Sequence, residues 1–278
     1  MPRLFRAEAG LETGMFSIHQ MHPEAALRLA LSVTLAGLGK HGRSLQTMIA
    51  EHRTGLVMVN AEVDYLEELT FFAQSSVTAE ANVSLREDGN LLMFHVRVPA
   101  RDTPAVEVKM GIRPIQLTGS PALDALPAPV SPALRALFDR DEIVPKNAML
   151  TRHLRADIRR DIAGADPIFT AEHTLFIGRA DCEFADQWLA ARLPSLLATA
   201  RDELFFSGGA ELAECAKRPI IAFRAEFFRP MYFGDRGRIR VAMYRKNQKI
   251  VVVYQVRGMP VTGAGTEGPL CALAVEAF

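Results

Sequence analysis

The chain has 278 residues, 49% of them apolar and 23% charged, with 32 Lys and Arg matched by 32 Asp and Glu. Such a composition belongs to a globular protein with room for two domains, and its balanced charge supplies no field for nucleic acid or an anionic membrane. Cys182, Cys215 and Cys271 are odd in number and far apart, so neither a disulfide scaffold nor a paired zinc site is expected, and reduced cytoplasmic thiols are.

The first residues, MPRLFRAEAGLETG, lack the apolar core of a signal peptide, and no apolar run approaches bilayer length, so a cytoplasmic protein is expected. Pro23 opens a run, EAALRLALSVTLAGLG, dense in Ala, Leu and Val and stopped by Gly37 and Gly39, which predicts a largely buried helix. A short helix over SLQTMIAEH follows, then strands at LVMVNAEV, SVTAEANVSL, LLMFHVRV and AVEVKMGI, with a hairpin turn at Asp88-Gly89. From Thr118 to about Pro145 proline and alanine become frequent, as in a linker, with one helical turn expected at Ala133 to Phe138. A charged stretch, LRADIRRDI, leads on to a strand (HTLFIGR), a helix near LAARLPSLLATARDELF, a short helix (AELAECAKR) and strands PIIAFRAEFF, RIRVAMYR, KIVVVYQVR and LCALAVEAF.

One order of elements therefore occurs twice. Val63 to Val83 and Ala225 to Arg245 share a pattern in which Tyr65, Phe71 and Val77 stand against Phe227, Phe233 and Ile239. Beyond a turn that is longer in the first copy, Phe94 faces Tyr254. A repeat of this kind fixes the architecture. We expect an α+β chain made of an N-terminal unit (1–117), a linker with short helices (118–166) and a C-terminal unit (167–278), each with an antiparallel sheet wrapped round a central helix.

The second copy resembles the hot-dog superfamily, of the 4-hydroxybenzoyl-CoA thioesterase type. The resemblance is carried by Ala180-Asp181-Cys182-Glu183-Phe184-Ala185 before the long helix, by Ala200-Arg201 within it, and by the strand, proline, Gly-Asp turn and strand of FFRPMYFGDRGRIRV. It covers about 100 residues, and the first copy follows the element order without the motifs. The resemblance implies a double hot dog, a pseudo-dimer in one chain, acting on an acyl-CoA or acyl-carrier-protein thioester.

Thioester hydrolysis needs a base or nucleophile beside the carbonyl carbon and donors aimed at its oxygen. By position in the family, the carboxylate is Glu183 and the donor is the backbone N–H near Ala190; family members more often have Asp at the former. Asp181 and Asp186 are neighbouring acids able to replace Glu183, and Gln187 and Trp188 fall where pocket-lining residues are found. A constant offset places Met21 opposite Glu183, with His19 and His22 beside it, so the first copy lacks the acid. No third ligand accompanies these histidines, and neither metal nor cofactor is expected. Tyr65 and Tyr232 are candidate pocket residues, and Arg236, Arg238 and Arg240, on one strand face, could meet a CoA phosphate or an acidic carrier protein.

The same scaffold admits a dehydratase, with His19 or His22 opposite Glu183 or Asp186, or an acyltransferase and decarboxylase using a tyrosine. A noncatalytic acyl-binding or assembly subunit is the reading from a different class. A homo-oligomer is possible in each. No GxSxG elbow is present, which argues against an α/β-hydrolase.

Overall fold

The computed structural model describes residues 4–101, 103–117, 125–148, 153–183, 186–215, 217–246, 249–259 and 268–278. Phe184 and Ala185 of the approach motif, and parts of the expected linker, lie outside them. Two compact units are formed, Met1–Thr151 and Arg152–Phe278.

The first unit runs β1 (Leu4–Gly10), α1 (Pro23–Gly39), α2 (Leu45–His52), β2 (Thr54–Tyr65), β3 (Ser76–Arg86), β4 (Leu92–Ala100), β5 (Thr103–Leu117), β6 (Ala125–Pro127), α3 (Pro132–Arg135) and β7 (Ile143–Val144). Its main sheet has the order β1-β3-β4-β5-β2, antiparallel throughout. Alternation makes the strands. In β3 Val77, Ala79, Ala81, Val83 and Leu85 are buried while their neighbours reach solvent. The helix α1 buries Ala26, Leu27, Leu29, Ala30, Val33 and Leu38, which occupy most of its circumference, because all five strands curve round it. Gly37 permits the closest approach: a Cβ there would lie 2.4 Å from Cγ of Phe5 on β1.

No strand is expected over Leu4–Gly10 from sequence, since Phe5 is its one fully buried residue and an edge strand open to solvent shows no apolar alternation. Ser44 caps α2 by accepting the Thr47 N–H at 3.0 Å. The chain after β5 packs back on this unit, with β6 on β5 and β7 parallel to β3. Arg43 and Glu142, both fully buried, pair at 3.4 Å, and the Arg43 guanidinium stacks 4.4 Å above the Phe138 ring.

The second unit contains α4 (Leu154–Asp161), β8 (Phe169–Phe176), α5 (Leu193–Ser207), α6 (Ala210–Cys215), β9 (Ala222–Phe227), β10 (Arg236–Lys246), β11 (Lys249–Gly258) and β12 (Leu270–Ala277). The charged stretch LRADIRRDI is the helix α4, whose Leu154 and Ile158, one turn apart, pack on Val253 and Leu273 of the sheet. The sheet order is β8-β10-β11-β12-β9, element for element that of the first unit. The chain is thus an α+β double hot dog. Among the described residues, no helix is long and apolar enough to cross a membrane.

Strand pairing also sets the register between copies, and corrects it. Short 3-10 turns at Thr13–Met15 and Arg179–Asp181 follow β1 and β8 at the same distance, which makes Ala9 equivalent to Leu175. Their partners are Val77 and Gly237, so Val77 does not stand against Ile239. Tyr254, which pairs with Val241, is correspondingly equivalent to Val96 rather than Phe94. Both slips are of two residues, and a two-residue slip leaves the inward and outward faces unchanged, so the apolar pattern cannot reveal it.

Candidate active site

In the second unit the chain between β8 and α5 forms a tight hairpin. Asp181 holds its base: one carboxylate oxygen accepts the Gly178 N–H at 3.0 Å, and the other accepts from Arg192 Nε at 3.2 Å. The arms close through Leu189 N–H to Asp181 O at 2.7 Å and Glu183 N–H to Gln187 O at 2.8 Å. Asp186 turns the chain with a φ of 56°, a left-handed conformation that Asp tolerates better than most residues. The second arm then lies against the loop before β10, with Trp188 N–H on Met231 O and Phe233 N–H on Asp186 O, both at 2.8 Å, and Gln187 bridged to Tyr232.

Glu183 sits in this hairpin, half-buried, and burial pushes its carboxyl up to about 7. Its carboxylate makes no hydrogen bond or ion pair among the described residues. Asp186 is differently placed: it is exposed and ion-paired with Arg179, whose guanidinium lies 4.0 Å above the Phe233 ring. Burial raises the Cys182 thiol, helped by the negative charge of Asp186, which disfavours a thiolate beside Glu183.

The α-helix does not begin near Leu189. A 3-10 turn, Ala190–Arg192, comes first, and α5 starts at Leu193 with Pro194 in its first turn, where the missing N–H costs nothing. The Ala190 N–H has no acceptor among the described residues, so it opens this helical segment as a free donor at the positive end of its dipole. Trp188 is buried, with its ring edge-on to Phe227 at 6.1 Å.

Deeper in the unit, Arg201 on α5 donates to both carboxylate oxygens of Glu276 on β12, at 3.0 and 2.9 Å, and Tyr254 donates to Glu276 at 2.5 Å. This trio ties α5 to the sheet. The arginine stripe is partly neutralised, since Arg238 and Arg240 share Glu172 at 3.0 and 3.1 Å, while exposed Arg236 makes no ion pair among the described residues.

The first unit has the same hairpin, one residue shorter. His22 N–H bonds Met15 O at 2.8 Å and Ser17 N–H bonds Gln20 O at 2.9 Å, matching the Leu189 and Glu183 bonds one for one. Ser17 is therefore the counterpart of Glu183, Gln20 of Gln187, and Met21 of Trp188. This corrects the constant offset, which set Met21 opposite Glu183. Tyr65 confirms the register: its hydroxyl donates to Met21 O at 2.6 Å, just as its equivalent Phe227 contacts Trp188. His22 is the N-cap of α1 without a side-chain capping bond, and His19 Nε2 is buried without a partner. Among the described residues no three His, Cys, Asp or Glu side chains are grouped to hold a metal. What sequence reasoning missed is the pair of equivalent glutamines, hidden by the one-residue difference between the turns.

No protein-family model matches the chain, and no curated protein matches its sequence. Solved structures match its fold over nearly the whole length. A protein assigned as an oleoyl thioesterase from Lactobacillus plantarum superposes with a TM-score of 0.75 at 10% identity, covering 99% of this chain and 95% of its own. The 12:0-ACP thioesterase from Umbellularia californica gives 0.66 at 11% identity, covering 99% and 93%. An acyl-ACP thioesterase from Bacteroides thetaiotaomicron gives 0.59 at 11% identity, covering 98% and 96%. The shared feature is the fold.

Proposed function

We propose that this chain hydrolyses acyl thioesters of coenzyme A or an acyl carrier protein, at the hairpin and helix start of the second unit. The observation that carries the reading is Glu183, a half-buried carboxyl without a counter-ion, raised to about 7 and placed seven residues before Ala190, where the helical segment with its free N–H begins. A base with that pKa is half-ionised at neutral pH and able both to take and to return a proton. Glu183 removes a proton from water, and the water oxygen bonds to the thioester carbonyl carbon. Negative charge on the carbonyl oxygen is met by the Ala190 N–H. Collapse breaks the C–S bond, and the leaving sulfur takes the proton from Glu183, giving a carboxylic acid and a thiol.

In this reading Gln187, Trp188 and Tyr232 line the acyl approach. Arg236, with its charge uncommitted, meets a phosphate of the carrier group, whereas Arg238 serves less because Glu172 already holds it. Asp186 orders the hairpin through its ion pair with Arg179. The fold shared with three thioesterases over nearly the full chain supports the assignment of reaction class.

Thiol release from a panel of acyl-CoA and acyl-carrier-protein thioesters, followed with the mass of the acyl product, tests it. Glu183→Gln is expected to lower kcat/KM by roughly 10²-fold or more, with the free acid as the wild-type product. Undiminished turnover in that variant removes Glu183 from the mechanism.

A further inference from the structure

We propose that the hairpin of the first unit is a noncatalytic binding site for a long-chain carboxylate. Two independent features lead there. The first is a pair of side-chain nitrogens without partners, the amide N–H donors of Gln20 and a histidine ring nitrogen that donates in its Nε2–H tautomer. Gln20 is only 7% exposed, yet its Nε2 has no hydrogen-bond partner, and His19 Nε2 beside it is buried and equally unpartnered. Leaving a buried amide unpaired costs on the order of 1–3 kcal/mol, so such groups are ordinarily satisfied by something. Both lie within three residues of His22, the N-cap of the 17-residue helix α1, which contributes no side-chain capping bond. Donors gathered at a positive helix end suit an oxyanion. Glu24 in the first turn, the acid nearest this end, is held by Arg28 at 2.7 Å.

The second feature is apolar surface left uncovered around the same hairpin. Ile18 at its tip is 87% exposed, and Phe72 is 93% exposed. Phe72 is tied to the hairpin through Phe71, whose ring lies 5.5 Å from that of Phe72 and 6.0 Å from that of Phe16. Ile18 adjoins His19 in the chain and the ring series starts from Phe16 at the hairpin base, and exposed apolar side chains rimmed by polar groups mark a binding surface. Head-group donors and apolar contacts together fit an amphiphile with a carboxylate at one end.

Chemistry is absent because Ser17 stands where the other hairpin has Glu183. Its hydroxyl donates to Gln20 O at 3.1 Å and accepts the His19 and Gln20 N–H groups at 3.2 Å, so it holds the turn. The bound molecule is therefore retained unchanged. That this carboxylate is of the kind released by thioester hydrolysis rests on the proposed function; the site itself does not depend on it.

Calorimetric titration of the full chain with dodecanoate tests the site. Glu183→Gln is expected to bind dodecanoate as the wild type does, while Gln20→Leu weakens binding by roughly tenfold or more and His19→Ala also weakens it. Because leucine removes an unpaired buried amide, Gln20→Leu is further expected to raise the Tm of the ligand-free protein by about 4 °C or less. Dodecanol, without the carboxylate, is expected to bind more weakly than dodecanoate. Equal affinity in wild type and Gln20→Leu overturns the proposal, as does loss of binding in Glu183→Gln alone, equal binding of dodecanol, or no binding. A Gln20→Leu chain that is destabilised also counts against it, since the amide would then have had a partner. Failure to find thioester hydrolysis would leave these outcomes readable.

Discussion

Glu183 is a carboxyl whose surroundings disfavour its charge and offer it no counter-ion among the described residues. Its carboxyl lies at about 7 in the folded chain against an ordinary 4.5, so the fold disfavours the ionised form. The associated stability is fully present below pH 4.5 and is lost as the pH rises through about 7. Glu183→Gln is therefore expected to be more stable than wild type at pH 8 by on the order of 1–3 kcal/mol, with no advantage at pH 4. Urea unfolding at both values checks this, and a variant destabilised at pH 8 would show that the carboxylate is held by favourable contacts. The position of Glu183 was legible in the sequence because the approach motif precedes the helix directly. Its burial was not, since that depends on the loop before β10 folding against the hairpin through Met231 and Phe233.

Among the elements, α5 is secured in a way α1 is not. The Arg201, Glu276 and Tyr254 trio joins it to β11 and β12, whereas Met110 and Val96, both fully buried, occupy the equivalents of Glu276 and Tyr254 in the first unit. Burial opposes the charge on Arg201, but Glu276 outweighs it and holds the guanidinium firmly protonated, while Tyr254 is pushed well up by burial. Glu276→Ala is expected to cost about 3–5 kcal/mol, because it removes the buried partner of a largely buried arginine and leaves it only the half-exposed Asp202, at 3.0 Å. Chemical denaturation measures this, and a loss below 1 kcal/mol would mean that solvent reaches Arg201. The strands and both long helices could be read from alternation and apolar density. The helix α4 and strand β1 could not: charge masks the two core contacts of the first, and solvent exposure erases the pattern of the second.

The whole molecule repeats one topology with its two hairpins diverged, and the divergence separates a hairpin that carries Glu183 from one that carries Ser17 in its place. Integrity of the first unit depends on a contact distant in sequence, between Arg43 after α1 and Glu142 near β7. Glu142→Ala is expected to destabilise by about 3–5 kcal/mol and to speed proteolysis between residues 125 and 148, read by limited digestion. Duplication was visible in the sequence from the repeated order of elements, yet its register was not, since strand slips of two residues and a turn one residue shorter leave the apolar pattern unchanged. In the proposed mechanism Glu183 in the second hairpin is the base. The pH profile of thiol release tests it most directly: kcat/KM is predicted to rise with a single ionisation at about pH 7 and level off above it, a step absent from the residual activity of Glu183→Gln. A profile flat through neutrality, or the same step retained in that variant, would contradict it.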